Sequence, residues 1–178
     1  MITIRSRATG SAMIEVLIAI LVTAFALLAL ANLQGRAMVG EVEAYGRSQA
    51  LVLAQDMVNR INANRKNAAA YVLTGFIGGA ATCPNPAGTT VVDKDLCEWQ
   101  AALNGTSEIT AAAKSIGGAT TARGCIVATA PNSYLVTVVW QGSRKTSDAI
   151  NACAAGAYPA DGTRRAISLP LTIATLGA

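Results

Sequence analysis

Arg5-Ser6-Arg7-Ala8-Thr9-Gly10, then Ser11-Ala12-Met13-Ile14-Glu15, then Val16 to Gly35 without a charged residue: this N-terminal stretch decides the fold. One carboxylate stands just inside an apolar run of membrane length. A charge at depth in a bilayer costs roughly 2.5–3.5 kcal/mol on insertion scales, so such a residue usually has a partner. Glu15 follows Ser11 by four positions, and a cut between Gly10 and Ser11 would free an amine close to that carboxylate.

Two ordinary explanations of the segment fit less well. A secretory signal peptide has a basic start and an apolar core, and Ala29-Leu30-Ala31 suits a small-residue cleavage site. Its apolar core, however, is about 7–15 residues long and charge-free. A plain signal anchor accounts for the length, since about 20 residues span a bilayer. Arg5 and Arg7 would hold its start in the cytoplasm. It leaves Glu15 unexplained.

The arrangement resembles the class III signal of type IV prepilins. That signal is a short basic leader ending in Gly, a cut, a Glu at the fifth mature position and a long apolar helix. Mature pilins usually begin with Phe, and Ser11 takes that place here. The resemblance implies that a prepilin peptidase cuts between Gly10 and Ser11, that Ser11 is N-methylated, and that Glu15 serves assembly.

The four cysteines, Cys83, Cys97, Cys125 and Cys153, all follow the membrane segment. With a cytoplasmic leader they lie where disulfides form and persist. Spacings of 14, 28 and 28 residues contain no C-x-x-C pair, which disfavours a zinc site or a thioredoxin-type couple. Four cysteines allow three connectivities. We expect Cys83–Cys97, closing a short loop with Pro84 and Pro86, and Cys125–Cys153, tying the central β-region to the segment before the last strand.

No histidine is present, which excludes Ser-His-Asp and Cys-His catalysis and histidine metal ligation. No G-x-S-x-G, P-loop or G-x-G-x-x-G occurs. No catalytic residue, metal or cofactor is therefore expected. The formal charge is +4, and two of those charges, Arg5 and Arg7, lie in the leader. Nucleic-acid binding gains no support from net charge. Arg144-Lys145 and Arg164-Arg165 are the candidate basic pairs, and such short pairs are usually solvated surface.

From Ser11 to about Lys66 the chain reads as one proline-free helix; about 55 residues span roughly 80 Å. Past the apolar run, Val42, Tyr45, Gln49, Leu53, Met57 and Ile61 recur every three or four residues and predict one stripe for a head. Gly35, Gly40 and Gly46 are positions that soften a helix. Asp95-Leu96-Cys97-Glu98 resembles a capping box and predicts a helix over 96–103, with Trp99 and Leu103 on its buried face. Residues 80–93 read as loop, and 105–122 are poorly patterned. Strands are expected at 125–128, 134–140 and 165–173. Pro170 inside the last implies an edge or a bulge.

These segments predict an α+β fold, and the resemblance to type IV pilins implies its arrangement: a long helix, apolar in its first half, packed on a small antiparallel head with disulfide-stapled loops. The division is 1–10 leader, 11–35 membrane and filament core, 36–66 amphipathic half-helix and 67–178 head. The order of the head segments is similar to that of the PilV family of minor pilins. This resemblance rests on the Cys-Pro loop, the Cys helix with Trp99, Arg123-Gly124-Cys125-Ile126, the Tyr134-to-Trp140 strand with Gln141-Gly142, and the closing Arg164-Arg165 strand. It implies a low-abundance subunit of an initiating or tip complex, held in the inner membrane with a periplasmic head and then in a pilus on a Gram-negative surface. Its partners would be the prepilin peptidase, other minor pilins and the major pilin. A minor pseudopilin of type II secretion, or a tip adhesin or DNA receptor, are the alternatives.

The leader reading predicts a mature N-terminus at Ser11 carrying one methyl group, read by intact mass and N-terminal analysis of protein from native membranes. Gly10→Val should block maturation. A mature start at Asn32 would identify a signal peptide, and an intact Met1 a simple anchor.

Overall fold

The computed structural model describes residues 11–79, 83, 85–106, 119 and 121–174, the side chains of Ser11 and Ala12 aside. Gly10 and the rest of the leader lie outside these residues, as does most of the poorly patterned stretch before β2. The chain divides into two compact units, Met1–Glu41 and Val42–Ala178, and the second takes in the later half of the first helix.

Helix α1 runs from Ser11 to Ala63. In the first unit its Met13–Leu33 side chains are exposed and, Glu15, Thr23 and Asn32 apart, apolar, and this part is long and apolar enough to cross a membrane. Its one hydroxyl there is satisfied locally: Thr23 Oγ1 donates to Ala19 O at 2.7 Å. Apolar surroundings demand such self-sufficiency.

In the second unit the head-facing side of α1 differs from the predicted stripe. Leu53, Met57 and Ile61 are buried, but Val42 is 58% and Tyr45 61% exposed. The buried face is instead Ala50, Leu53, Ala54, Met57, Val58 and Ile61, preceded by Gly46. A Cβ on Gly46 would lie 3.1 Å from Trp140 Nε1. Small residues win this face because the sheet comes close; Gly46 makes room for an indole where helix softening was the expected role.

α1 ends three residues before the expected Lys66. The Asn64 N–H closes on Arg60 O at 3.1 Å, and a 3₁₀ segment, Arg65–Tyr71, follows with a kink at Asn67. It delivers Tyr71 to the core. Leu73 N–H then donates to Ile126 O at 2.9 Å and leads into a two-residue strand β1, Ile77–Gly78. Neither element was legible from periodicity, because each is too short to show one.

Helix α2 spans Val91–Leu103, beginning five residues before the predicted start. The capping box is Thr90 and Asp93, not Asp95 and Glu98. Asp93 N–H donates to Thr90 Oγ1 at 3.1 Å and Thr90 N–H to Asp93 Oδ2 at 3.3 Å. Trp99 and Leu103 are buried as expected. Trp99 Nε1–H donates to Leu53 O of α1 at 2.8 Å.

Strands β2 (Arg123–Ala130), β3 (Ser133–Gln141) and β4 (Arg164–Thr172) complete a four-stranded antiparallel sheet in the order β1-β2-β3-β4. Alternation along β3 sorts its faces. Tyr134, Val136 and Val138, paired with Leu171, Leu169 and Ile167, join the core around α1 and α2. Val139 points the other way, into a smaller cluster with Ala154 and Tyr158. β4 is an edge strand with unbroken register, so Pro170 sits at an edge and not at a bulge. Inward bonds at Thr163 and Ile173 put the Pro170 nitrogen on the outer side, where no ladder donor is needed.

Trp99 lies over Gly124 of β2, and a Cβ at Gly124 would overlap its ring. Gly124→Ala should therefore destabilise the head by about 1–3 kcal/mol. Gly156 has open space at its Cβ position, so Gly156→Ala should change stability by no more than about 0.5 kcal/mol. Chemical denaturation of the two variants checks the contrast.

Candidate functional site

The candidate features are one carboxylate in an apolar helix and a head joined to the later half of that helix by polar contacts. Glu15 stands on α1 among the exposed Met13, Ile14, Val16, Leu17 and Ile18. Among the described residues it has no ion-pair partner. Ser11 is the first residue of α1; Gly10, and with it the expected cleavage between Gly10 and Ser11, lies outside the described residues.

Glu43, on the head-facing side of α1, was not singled out by the sequence reading. Its Oε1 accepts from Arg165 Nε at 2.9 Å and its Oε2 from Ser143 N–H at 2.9 Å. A Cβ on the intervening Gly142 would lie 2.7 Å from Oε1, so glycine is needed for the carboxylate to reach the backbone. The available signal was a charge in register with Gly46, Ala50, Leu53 and Met57.

A second polar hub ties α1 to α2. Arg60 donates to Asp56 at 2.9 Å, Asp95 at 3.2 Å and Glu98 at 2.6 Å. The two acids that mimicked a capping box in sequence are used here instead. Burial works against the Arg60 charge, but the bonds to Glu98, Asp56 and Asp95 outweigh it and hold its pKa above the ordinary value. The Arg60 bond also holds the exposed Glu98 below the usual carboxylate range.

The basic pair Arg164-Arg165 is not solvated surface. Arg164 is 6% exposed, and Arg165 is committed to Glu43. Arg144 and Lys145 do remain exposed. A further cation, Arg123, lies between the rings of Phe76 and Tyr158 at 5.2 and 5.1 Å from their centroids. The cysteines pair as Cys83–Cys97, with Cα atoms 4.9 Å apart, and Cys125–Cys153, with Cα atoms 5.9 Å apart. The first fastens the loop before α2 to that helix; the second fastens β2 to the segment before β4. Among the described residues no three His, Cys, Asp or Glu side chains are grouped to hold a metal.

Tyr71 reports on the α1–α2 hub. It is fully buried, and its hydroxyl donates to Asp95 Oδ2 at 2.5 Å and accepts from Asn64 Nδ2 at 3.1 Å. Burial, then the bond to Asp95, push its phenol from 10.0 up to about 12. The fold thus favours the neutral phenol: this contribution to stability is complete below pH 10.0 and is lost as pH rises through about 12. Tyr71→Phe should flatten that alkaline loss, measured as urea midpoints of the detergent-solubilised chain across this window.

Residues 32–97 match a family described as Tt1218-like, type IV pilin Tt1218. The matched stretch covers the later part of α1, the 3₁₀ segment, β1 and α2 as far as Cys97. No curated protein and no solved structure matches the chain. The half-apolar α1, the antiparallel sheet packed on its second half, the two disulfides and the family match over residues 32–97 fit the pilin-like α+β fold.

Proposed function

We propose that this chain is a minor pilin of the PilV kind that helps initiate type IV pilus assembly or forms part of the tip complex, and so supports twitching motility, adhesion or DNA uptake. The observation that carries the reading is Glu15 within an exposed apolar helix that continues into a folded, disulfide-stapled head. Residues 1–10 act as a leader removed by a prepilin peptidase. Residues 11–35 serve the inner membrane and then the filament core, 36–66 form the amphipathic half-helix, and 67–178 form the periplasmic head. The partners are other minor pilins and the major pilin.

In a bundle of apolar helices a carboxylate needs a cation, and the methylated amine of Ser11, from the same or an adjacent subunit, supplies one. Removal of Glu15 leaves that amine unpaired. The internal use of Arg164 and Arg165 takes away one of the two basic pairs on which a DNA receptor would draw. The four cysteines favour a pilin over a pseudopilin, whose heads typically are smaller and often lack cysteines.

Glu15→Ala should leave processing intact and reduce entry into pili, measured by immunoblot of sheared filaments; normal incorporation would remove the assembly role. Deleting the gene should reduce surface pili while the major subunit stays abundant in the membrane, and blocking retraction should restore some filaments. Normal piliation with lost attachment or DNA uptake would favour a tip receptor. Failure to export a folded periplasmic enzyme would favour a pseudopilin.

A further inference from the structure

Among the described residues of the second unit, Arg60, Arg123, Arg164 and Arg165 are wholly or partly buried. Three of them are matched to acceptors. Arg60 reaches three carboxylates, Arg165 reaches Glu43, and Arg164 reaches the carbonyl oxygens of Ala149, Asn151 and Cys153. Arg123, at the start of β2, differs. Its Nε and Nη1 are buried and have no hydrogen-bond partner, and it forms no ion pair among the described residues. A buried donor without an acceptor costs free energy, and a charged one costs more.

The surroundings of Arg123 explain how its guanidinium is positioned but not what its N–H groups serve. Cζ lies 5.2 Å from the centroid of the Phe76 ring and 5.1 Å from that of Tyr158. Aromatic faces attract the cation, yet they leave the donors in the plane of the fork unmatched. Tyr158 is a fixed wall: it is buried, and its hydroxyl is shared between Thr121 O at 2.6 Å and Val139 O at 3.1 Å. Backbone forms a second fixed wall. Gly79 has φ +74°, and a Cβ there would lie 3.0 Å from Arg123 Cζ and Nη2. Phe76, by contrast, is 40% exposed, and exposed rings change rotamer quickly. The slot therefore has two fixed walls and one that can swing aside.

We propose that Arg123, held by Phe76, Tyr158 and Gly79, is a binding site for the carboxylate of a small organic acid. A carboxylate carries the charge that the guanidinium lacks a partner for, and its two oxygens match paired N–H donors. Rings against the guanidinium leave its edge for the ligand, which suits a flat acceptor better than a tetrahedral one. A small acid is favoured over a side chain on another protein because the orphaned nitrogens are buried, out of reach of a partner's surface. The inference goes beyond the pilin reading and stands whether or not Glu15 serves assembly.

The test uses the full chain in detergent, carrying isotope-labelled arginine, titrated with sodium acetate at an ionic strength held constant with sodium chloride. The Arg123 Nε–H resonance is assigned by its loss in Arg123→Lys or, if that variant does not fold, by its displacement in Phe76→Leu. It should shift saturably with a dissociation constant of about 1–10 mM, and acetate should raise the melting temperature. Arg123→Lys keeps the charge but loses the fork, and should abolish that rise. Phe76→Leu, at a half-exposed position, should fold normally and weaken acetate binding about threefold. Inorganic phosphate should bind more weakly than acetate. The absence of a saturable shift overturns the proposal and leaves Arg123 a staple between β1 and the segment before β4. The same shift with chloride alone also overturns it, since that is screening. So does phosphate binding as tightly as acetate, which would make the slot a general anion site, and so does an unchanged acetate affinity in Phe76→Leu.

Discussion

The head depends on close approach between the later half of α1 and the antiparallel sheet. Ala50, Leu53, Ala54, Met57, Val58 and Ile61 meet Ile126, Val136 and Val138 in one core. Each large apolar side chain buried there contributes roughly 1.5–3 kcal/mol. Two indoles depend on glycines to reach their places: Trp140 beside Gly46, and Trp99 over Gly124. Close packing at these points sets how near the strands come to the helix.

Polar contacts then choose one arrangement among those that a greasy interface would tolerate. Trp99 Nε1 on Leu53 O sets where α2 sits along α1. Arg60, reaching Asp95 and Glu98, sets how α2 is turned. Glu43, reaching Arg165 and Ser143, does the same for the end of β3 and the start of β4. Exposed ion pairs add little stability. These are partly buried and shared, so their value lies in specifying geometry. The disulfides act on the unfolded chain as well: for loops of 14 and 28 residues the chain-entropy estimate is roughly 3–4 kcal/mol each. A head with a small core and long Ala/Gly-rich connections gains most from such links.

The strongest periodic signals were the most legible. The apolar run from Val16 to Gly35, the β-branched strand Tyr134 to Trp140 and the alternating Ile167, Leu169, Leu171 and Ile173 each repeat long enough to report a local geometry. Pro170 marked an edge or a bulge for a stereochemical reason that holds in any fold, and the unbroken register of β4 chose the edge. Short elements were missed: β1 pairs through two residues, and the 3₁₀ segment through Tyr71 has no amphipathic repeat. The head-facing side of α1 was misjudged because Val42 and Tyr45 look like core residues at helical spacing, whereas Gly46, Ala50 and Ala54 look like filler. Asp95 and Glu98 were misread because a carboxylate spaced for a cap is equally spaced for a distant arginine, and Thr90 with Asp93 capped the helix first.

The sequence by itself determined the long helix, the three longer strands and the apolar run, and which residue, Glu15, interrupts that apolar character. Those properties arise from side-chain chemistry and backbone periodicity over a few turns. Only the tertiary structure decided which charges are spent inside the head. Glu43 and Arg165 stand 122 positions apart, and Arg164 is buried because the loop before it folds back over β4. No local pattern encodes such pairings, since whether a charge is solvated or buried depends on which distant backbone atoms surround it.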